Sequence, residues 1–476
     1  MCGVEVVGQR CYTSGVRPLL LLGSALVACT RTVAPAPAPA PLASTAASTP
    51  PSPIARRVVL VSIDGLKPEY LAEADARGLA IPALRRLMKD GTRADAMTSV
   101  YPTVTYPAHT TLITGVSPKA HGIVNNLPFD PHGKNQDGWY WYASDVKVPT
   151  VVDVARKNHL PTANVYWPVT VGAAFDASFP QVWRAQNDED DKLMRALSTP
   201  GLADAVAKQY GSIPAEHRTD VERANAAEWI LGHERPALAL VYFTDLDTEQ
   251  HKTGPFSKGA YAKLELIDKQ LGRLLAASET AGTFAQTSWI VVSDHGFAAV
   301  HSAVKPSVLL RERGFLTVGG GKVTSYRAAA WKAGGTAAIV LADPKDVATR
   351  TAVLAAFEEA KKDPKNGIAE VVPGATVEAA GGFPGVAAVL VAADGFVFAN
   401  GHDGPMVVPS WDLGAHGYPP TDPRMRASFL AAGRGVLAGA KIGTVRMIDV
   451  APTIAALLSL SLPSPEGGPI AGLLAP

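Results

Sequence analysis

The segment VVLVSIDG, Val58 to Gly65, places a nearly continuous apolar run directly before an aspartate and a glycine. A run of this length without polar alternation is typical of a strand in a parallel sheet that is covered on both faces. Similar runs lie at Ala237–Phe243 and Ser288–Val292, and helical patterns such as Tyr261–Ala277 lie between them. The alternation predicts an α/β domain with a central, mostly parallel sheet and helices on both faces.

Polar side chains follow three of these runs at the point where each run ends, and a later segment adds one more. The residues are Asp64, Asp247, His251, Asp294, His295 and His416. Taken singly, each could be a helix cap, a turn residue or a surface histidine. Because ligands of open parallel sheets bind beyond the carboxyl ends of the strands, we expect the six side chains to converge there.

The ligand types of this set indicate a metal site. Aspartate oxygen combined with neutral imidazole suits zinc or manganese better than calcium or magnesium. Six side chains are enough for two ions with open positions, and a pair of ions can clamp both the attacking and the leaving oxygen of a displacement. We therefore expect two Zn²⁺ ions, with other divalent metals as an alternative.

The segment YPTVTYPAHTT, Tyr101 to Thr111, offers hydroxyl nucleophiles. A hydroxyl is a poor nucleophile until a base or a metal removes its proton. The residues by themselves do not choose among the candidates, and each could instead be a helix cap or make a buried hydrogen bond. The candidates are Thr103, Thr105, Thr110 and Thr111.

Composition excludes several classes of protein. Lys and Arg total 44 and Asp and Glu total 43, so the net charge of +1 gives no broad basic face for nucleic acid. The three cysteines, Cys2, Cys11 and Cys29, all lie in the first 29 residues. The rest of the chain therefore has no disulfide and no thiolate ligand or nucleophile.

The first residues have the pattern of an export signal. A leucine-rich run ends in Leu26-Val27-Ala28-Cys29, which resembles the bacterial lipobox. We expect residues 1–28 to be a lipoprotein signal peptide and residues 29–53 to be a lipidated Cys29 followed by an Ala/Pro-rich tether. The protein would then be exported and anchored by lipid to a bacterial membrane, facing the periplasm. A plain cleaved signal is the alternative, and oligomeric state has no sequence signal.

Seven motifs in order make residues 54–476 resemble one known family. The motifs are SIDGLKPEYL, YPTVTYPAHTTLITGVSPKAHGIVNN, VYWP, DLDTEQHKTGP, VVSDHGF, HGYPPTDPRMRASFLAAG and DVAPTIAALL. Together they resemble the nucleotide pyrophosphatase/phosphodiesterase family of the alkaline phosphatase superfamily. The resemblance implies an alkaline-phosphatase-like fold for this catalytic domain. We expect an inserted lobe around residues 319–400.

The resemblance also implies a role for each matching residue. Thr105 would be the nucleophile, and Asn126 would donate to a phosphate oxygen. One zinc would be bound by Thr105 together with Asp64, Asp294 and His295. The other would be bound by Asp247, His251 and His416. The substrate would be contacted by Tyr106, Trp167 and Tyr242, although Tyr242 could instead pack beneath the sheet edge.

The implied activity is zinc-dependent hydrolysis of phosphodiester or phosphoanhydride bonds through a phosphothreonine, releasing nucleoside 5′-monophosphates. The segment from Thr98 to Ile113 contains no Lys or Arg, which suits a singly charged diester better than a dianionic monoester. Ala108 and Gln250 depart from the residues common in the family, which bears on substrate preference. The alternatives are an alkaline phosphomonoesterase, a lipid-head-group phosphodiesterase, and a non-catalytic binding lipoprotein.

Overall fold

The computed structural model describes residues 56–135, 138–184, 187, 189–215 and 217–475. The predicted signal peptide, Cys29 and the tether lie outside these residues. Within the described part of the chain, no helix combines the length and the apolarity that a membrane span requires.

The strands and helices alternate along most of the chain. The strands are β1 (Arg57–Ile63), β2 (Gly91–Ala94), β3 (Met97–Thr98), β4 (Thr162–Val165), β5 (Ala177–Phe179), β6 (Leu238–Phe243), β7 (Thr287–Val292), β8 (Ala298–Val304), β9 (Leu316–Gly319), β10 (Lys322–Tyr326), β11 (Ala328–Ala333), β12 (Thr336–Leu341), β13 (Ile368–Pro373), β14 (Ala388–Ala392), β15 (Gly395–Phe398), β16 (Val407–Pro409), β17 (Gly414–Ala415), β18 (Phe429–Gly433), β19 (Ala440–Ile442) and β20 (Val445–Arg446). The α-helices are α1 (Pro68–Ala72), α2 (Pro82–Asp90), α3 (Thr105–Thr114), α4 (Pro118–His121), α5 (Val151–Lys157), α6 (Glu189–Leu197), α7 (Leu202–Tyr210), α8 (Asp220–His233), α9 (Asp245–Thr253), α10 (Lys258–Thr280), α11 (Pro306–Glu312), α12 (Val347–Lys361), α13 (Gly374–Ala379) and α14 (Val450–Leu457). Short 3₁₀ helices lie at Ala143–Asp145, Phe284–Gln286, Pro364–Asn366, Pro423–Met425 and Met447–Asp449.

The central sheet has eight strands in the order β19-β2-β18-β7-β1-β6-β4-β5. Strand β1 pairs in parallel with β6 and β7, and β18 runs antiparallel to its neighbours β7 and β2. Every residue of β6 and β7 is buried, as expected when both faces of a parallel sheet are covered. The predicted α/β class with a mostly parallel sheet is confirmed.

The register of the three central strands aligns their carboxyl ends. Ser62 of β1 lies opposite both Tyr242 of β6 and Val292 of β7. The residues that follow these strands therefore emerge side by side at one edge of the sheet. Three segments follow the strands at this edge: the turn with Asp64, helix α9, and the loop with Asp294 and His295. An open parallel sheet binds its ligands at this edge.

Helix α3 carries the predicted nucleophile on its first residue. Val104 precedes it in an extended conformation, and Gly115 ends it in the left-handed region with φ 71°, where glycine carries no steric penalty. All ten residues of α3 are buried. The helix is therefore held rigidly, with its N-terminus and the partial positive charge there at a fixed position.

A second, antiparallel sheet of order β11-β12-β14-β13 lies within the predicted lobe at 319–400; the lobe boundaries themselves stay a prediction. The turn before β12 holds the segment of His416. Gly335 N–H donates to the His416 carbonyl at 2.7 Å, and the Thr336 hydroxyl donates to the Gly417 carbonyl at 2.8 Å. A Cβ on Gly334 would lie 2.1 Å from the same His416 oxygen. Glycine is therefore required for this close approach.

Candidate active site

A cavity of about 510 Å³ lies at the carboxyl edge of the central sheet. Four of the six predicted metal ligands, together with both predicted catalytic residues, line this cavity. The predicted residues that line it are Asp64, Thr105, Asn126, Asp247, His251 and His416. The convergence expected from the strand ends is therefore present, and it includes the nucleophile helix.

Asp64, Asp294 and His295 form the first ligand group, with ligand atoms within 4.8 Å of one another. His295 Nε2 lies 3.4 Å from Asp64 Oδ1 and 3.1 Å from Asp294 Oδ2. Gly65 N–H donates to Asp294 Oδ1 at 3.2 Å, which leaves Oδ2 facing the cluster. The structure thus brings together the three residues predicted for one ion.

Asp247 and His416 belong to a second group, which also includes His295. Asp247 Oδ1 lies 3.5 Å from His251 Nε2 and 3.8 Å from His416 Nε2. His251, which is predicted for this group, therefore lies beside it. The rings of His295 and His416 stack with centroids 3.6 Å apart. The two groups are therefore adjacent, and all six predicted ligands lie in one cluster.

Each of the three imidazoles is oriented by a backbone carbonyl. The Nδ1 atoms lie 2.9 Å from the Gly414 oxygen for His251, 3.0 Å from the Thr103 oxygen for His416, and 3.1 Å from the Gly296 oxygen for His295. A neutral imidazole that donates from Nδ1 presents a lone pair on Nε2, which is the arrangement found around metal-ligating histidines. The Nε2 atoms of all three rings approach the aspartates.

The ligand atoms fit bound cations by a second criterion. Within the described ranges, four of these buried atoms have no hydrogen-bond partner: Asp64 Oδ1, Asp247 Oδ1, Asp294 Oδ2 and His295 Nε2. A buried polar atom without a partner costs about 1–3 kcal/mol, and more when it is charged. Four such atoms in one cluster indicate that a bound group satisfies them, and the mixed oxygen and nitrogen donors suit zinc.

The electrostatics of the cluster lead to the same conclusion. Burial, followed by the repulsion of Asp247 and Asp294, raises the pKa of Asp64 well above its usual value. Burial raises the pKa of Asp294 to about 7, and burial lowers the pKa of His416 to about 3. Metal ligands must be ionised carboxylates and neutral imidazoles. His295, whose pKa burial also lowers, and His416 are already in that state, and nearby cations would stabilise the carboxylates.

The structure separates Thr105 from the other candidate threonines. Thr105 lines the cavity. The other three hydroxyls are buried, and each donates to a backbone carbonyl: Thr103 to Tyr418, Thr110 to Tyr106 and Thr111 to Val116, at 2.7, 2.8 and 3.0 Å. Of the four candidates, Thr105 alone faces the cavity.

Asn126 is held beside the nucleophile by the backbone of α3. Tyr106 N–H donates to Asn126 Oδ1 at 2.8 Å. The side-chain carbonyl oxygen thus already accepts a hydrogen bond. The NH₂ group of the same side chain can donate a hydrogen bond to a phosphate oxygen in the cavity. The position agrees with the predicted role.

The predicted aromatic contacts need one correction. Trp167 is fully buried and packs edge-on against His109, with centroids 4.8 Å apart, so it lies behind the site and not in the cavity wall. Tyr106 and Tyr242 border the cavity but are almost fully buried. Tyr242 donates its hydroxyl to Asp64 Oδ2. Tyr242 therefore supports the predicted ligand Asp64. This role is close to the alternative in which Tyr242 packs beneath the sheet edge.

Two tryptophans that sequence analysis missed form the aromatic wall. Trp139 and Trp183 line the cavity, and their ring centroids lie 5.5 Å apart. Trp139 also packs edge-on against Tyr106 at 5.0 Å. The signal for Trp139 was the aromatic-rich segment WYWY at residues 139–142, whereas Trp183 had no motif around it.

Gln250, which differs from the residue common in the family at this position, has a structural role. Its side chain is fully buried, donates to the Gly65 carbonyl at 2.9 Å, and accepts from the Tyr70 hydroxyl at 2.9 Å. Gln250 thus joins helix α9, which carries Asp247 and His251, to the loop of Asp64. Neighbouring Phe297 packs against the ring of His251 at 4.9 Å, so the ligand loops are held from beneath.

Comparison with solved structures places the fold. The structure of murine ectonucleotide pyrophosphatase/phosphodiesterase 5 superposes with a TM-score of 0.63 at 21% identity, covering 87% of this chain and 98% of that one. A structure of an inactive form of the same protein in complex with AMP gives a TM-score of 0.62, also at 21% identity, covering 87% and 97%. At this level of identity, the likeness shows that this chain shares its fold with these structures.

Sequence comparison identifies the family. A model of the type I phosphodiesterase/nucleotide pyrophosphatase family matches residues 58–419, and the chain belongs to this family. Ectonucleotide pyrophosphatase/phosphodiesterase family member 3 of Rattus norvegicus is 27% identical over 251 residues, covering 50% of this chain and 24% of the relative. The venom phosphodiesterase of Naja atra is 26% identical over 251 residues, covering 51% and 26%. The matches thus span about a quarter of these relatives' length. The predicted family is confirmed.

Proposed function

We propose that this chain is a two-metal phosphodiesterase that uses Thr105 as its nucleophile. The observation that carries the proposal is the convergence of six carboxylate and imidazole ligands beside one cavity-facing hydroxyl. Two zinc ions would be held by Asp64, Asp294 and His295 on one side and by Asp247, His251 and His416 on the other. When bound, the ions lower the pKa of the attacking hydroxyl and of water and stabilise charge on the phosphoryl oxygens.

The residues of the chain supply position and charge. The Thr105 oxygen forms a bond to phosphorus as the bond to the leaving oxygen breaks, and the leaving alcohol ends with a proton. Asn126 donates to an equatorial phosphoryl oxygen throughout. Water then attacks the phosphothreonine from the same side that the alcohol left, which returns Thr105 to its hydroxyl form. Two in-line displacements predict net retention of configuration at phosphorus.

The charges around the cavity favour diesters over monoesters. Among the described residues that line it, Lys252 is the single Lys or Arg, and this side chain is exposed at the mouth. A dianionic monoester needs an additional cation close to its terminal oxygens. The neutral donor of Asn126 suits the single negative charge of a diester. An alkaline phosphomonoesterase is therefore the weaker alternative.

The substrate class that we propose is a nucleotide diester or pyrophosphate, cleaved to a nucleoside 5′-monophosphate. The paired rings of Trp139 and Trp183 offer an aromatic surface for a base. One structural neighbour is a complex with AMP, and the relatives are named as a nucleotide pyrophosphatase/phosphodiesterase and a venom phosphodiesterase. A lipid-head-group phosphodiesterase and a non-catalytic binding lipoprotein are the remaining alternatives. Export and lipid anchoring through Cys29 also belong to the proposal.

The test compares Thr105→Ala with Thr110→Ala, a control in the same helix that does not line the cavity. With an aryl phosphodiester as substrate, Thr105→Ala should lose at least about a thousandfold in kcat, as removal of a nucleophile does, and should keep its bound zinc. Thr110→Ala should keep its turnover. Near-normal turnover by Thr105→Ala, or an absence of zinc from the purified wild-type chain, would overturn the proposal. An aryl monoester, assayed in parallel, should be the poorer substrate.

A further inference from the structure

A second cavity branches from the candidate active site toward the antiparallel sheet. Its volume is about 250 Å³. The two cavities share six residues: Asn126, Trp139, His251, Trp411, Asp412 and His416. Ligand pockets of drug-sized molecules hold about 300–1,000 Å³. The branch is therefore too small for a whole substrate but large enough for one arm of a substrate bound at the metal ligands.

The wall that belongs to the branch alone is mostly apolar, and it comes from strands β8, β11, β15 and β17 and from the segments beside them. Among its residues are Leu127, Ala333, Val397, Phe398, Ala399 and Ala415. Val397 and Phe398 lie in β15, whose backbone is fixed because Phe398 N–H donates to the Gly334 carbonyl at 2.9 Å. The turn that holds His416 therefore also holds this wall. The branch and the second ligand group are built as one unit.

The branch adjoins the second ligand group and not the Thr105 side chain. Thr105 lines the main cavity and not the branch, whereas His251 and His416 line both. An attacking and a leaving oxygen lie roughly in line on opposite sides of phosphorus. An arm that leaves from the face opposite Thr105 would therefore pass His251 and His416 and enter the branch.

The charges of the branch oppose a polyanionic arm. Apart from the histidines, its charged side chains in the described part of the chain are Lys332 and Asp412, one of each sign. Asp412 stands at the junction of the two cavities, with Oδ2 3.8 Å from His251 Nδ1. A pyrophosphate entering here would pass a carboxylate and then meet apolar side chains, which cannot replace its hydration.

We propose that this branch is the leaving-group subsite and that it selects diesters whose leaving arm is uncharged and apolar, such as an aryl or alkyl alcohol. The inference rests on the proposed function, because it assumes displacement by Thr105. The reaction is the transfer of the phosphoryl group from the alcohol oxygen to Thr105, with the proton of the threonine hydroxyl balanced by the proton gained by the alcohol. Strand β15 and the turn between β11 and β12 thereby acquire a function in selecting the substrate.

The test uses two substrates with the same base, the 4-nitrophenyl ester of AMP and ATP. The wild-type chain should have a kcat/KM at least about tenfold higher for the aryl ester, since one pocket contact discriminates by about 10–200-fold. Ala399→Asp places a charge in the branch, away from the metal ligands, and should lower kcat/KM for the aryl ester about tenfold while changing that for ATP less than about threefold. Ala399→Lys should shift the ratio toward ATP.

Ala393→Asp is the matched control, because Ala393 is partly exposed on the neighbouring turn and lines neither cavity. It should leave both substrates unaffected. If wild type and control cleave both substrates and the Ala399 variants keep the wild-type ratio, the subsite assignment is wrong while the proposed function stands. If the zinc-loaded wild type cleaves neither substrate, the proposed function itself fails. A wild-type preference for ATP also contradicts the subsite.

Discussion

Replacing Tyr242 by phenylalanine removes a single hydroxyl beneath the cluster of candidate metal ligands. That hydroxyl donates to Asp64 Oδ2, and Asp64 Oδ1 is left facing His295. The side chain of Tyr242 is only 2% exposed, so water does not replace the lost donor. The ring remains, and the stacked contact with Tyr166 at 6.4 Å is unchanged. The substitution therefore tests how strongly this one donor prepares Asp64 for a cation.

The magnitude follows from the type of hydrogen bond. A hydrogen bond to a charged partner contributes about 1.5–3 kcal/mol, which corresponds to roughly a 10- to 150-fold change in an equilibrium constant. Burial already raises the pKa of Asp64, and the Tyr242 hydroxyl opposes that rise. Without the hydroxyl, a proton competes more strongly with a cation for the carboxylate. We expect zinc affinity to fall about 10- to 100-fold at neutral pH, and to fall less at alkaline pH.

The assay is a competition between the protein and a zinc-selective chelator, carried out at pH 7 and pH 9. Tyr101→Phe is the matched control, because the Tyr101 hydroxyl is buried and has no hydrogen-bond partner in the described ranges. It should leave zinc affinity within about twofold. Equal affinity of Tyr242→Phe and the wild type at pH 7 would refute the reasoning. So would an equal loss in both tyrosine variants.

Two further results are expected. Gly65→Ala should lower the free energy of unfolding, measured by urea denaturation, by about 1–3 kcal/mol more than Gly78→Ala does. Both glycines have positive φ, but only at Gly65 would the new Cβ approach Gln250 Nε2, at 2.8 Å. Equal losses of stability in the two variants would contradict this reasoning. The chelator-treated chain should lose stability as the pH rises from about 6.5 through about 7, measured by its thermal midpoint, and zinc should abolish the trend. Burial raises the pKa of Asp294 from 3.8 to about 7, so the folded chain keeps a proton that the unfolded chain has released. Burial lowers the pKa of His416 from 6.5 to about 3, which affects stability with the opposite sign, but only below pH 6.5. A thermal midpoint that does not change with pH would be the contrary result.

Much of the central sheet and the ligand set could be predicted because both have local signatures. The run before Asp64 has no polar alternation, and such runs form strands that are buried on both faces. Once β1, β6 and β7 are parallel neighbours, the positions of Asp64, Asp247 and Asp294 follow from topology alone. His416 is different, since it comes from a segment held by the second sheet, and its place depended on the family resemblance.

The side chains that shape the cavity could not be read from the sequence. The choice of Thr105 over Thr103 depends on which hydroxyl already donates a hydrogen bond within the fold. The Thr103 hydroxyl donates to the Tyr418 carbonyl at 2.7 Å. Trp167 belongs to a recognisable motif, but its ring packs on His109, behind the site. Trp183 has no local pattern. Such facts are set by tertiary packing, which propensity and spacing do not encode.

The construction of the site separates catalysis from substrate choice. Asp64 and Asp294 come from loops that follow strands of the central sheet and Asp247 comes from helix α9, and the register of three strands fixes these positions. The turn between β11 and β12 holds His416 through Gly335, whereas β15 supplies part of the apolar wall of the proposed branch. A change in the branch-lining residues of β15 can therefore alter that wall without moving any aspartate, but a change in the turn at Gly334 and Gly335 would displace His416 as well. We consequently expect variation in substrate preference to concentrate in the branch-lining residues of β15 and to avoid this turn.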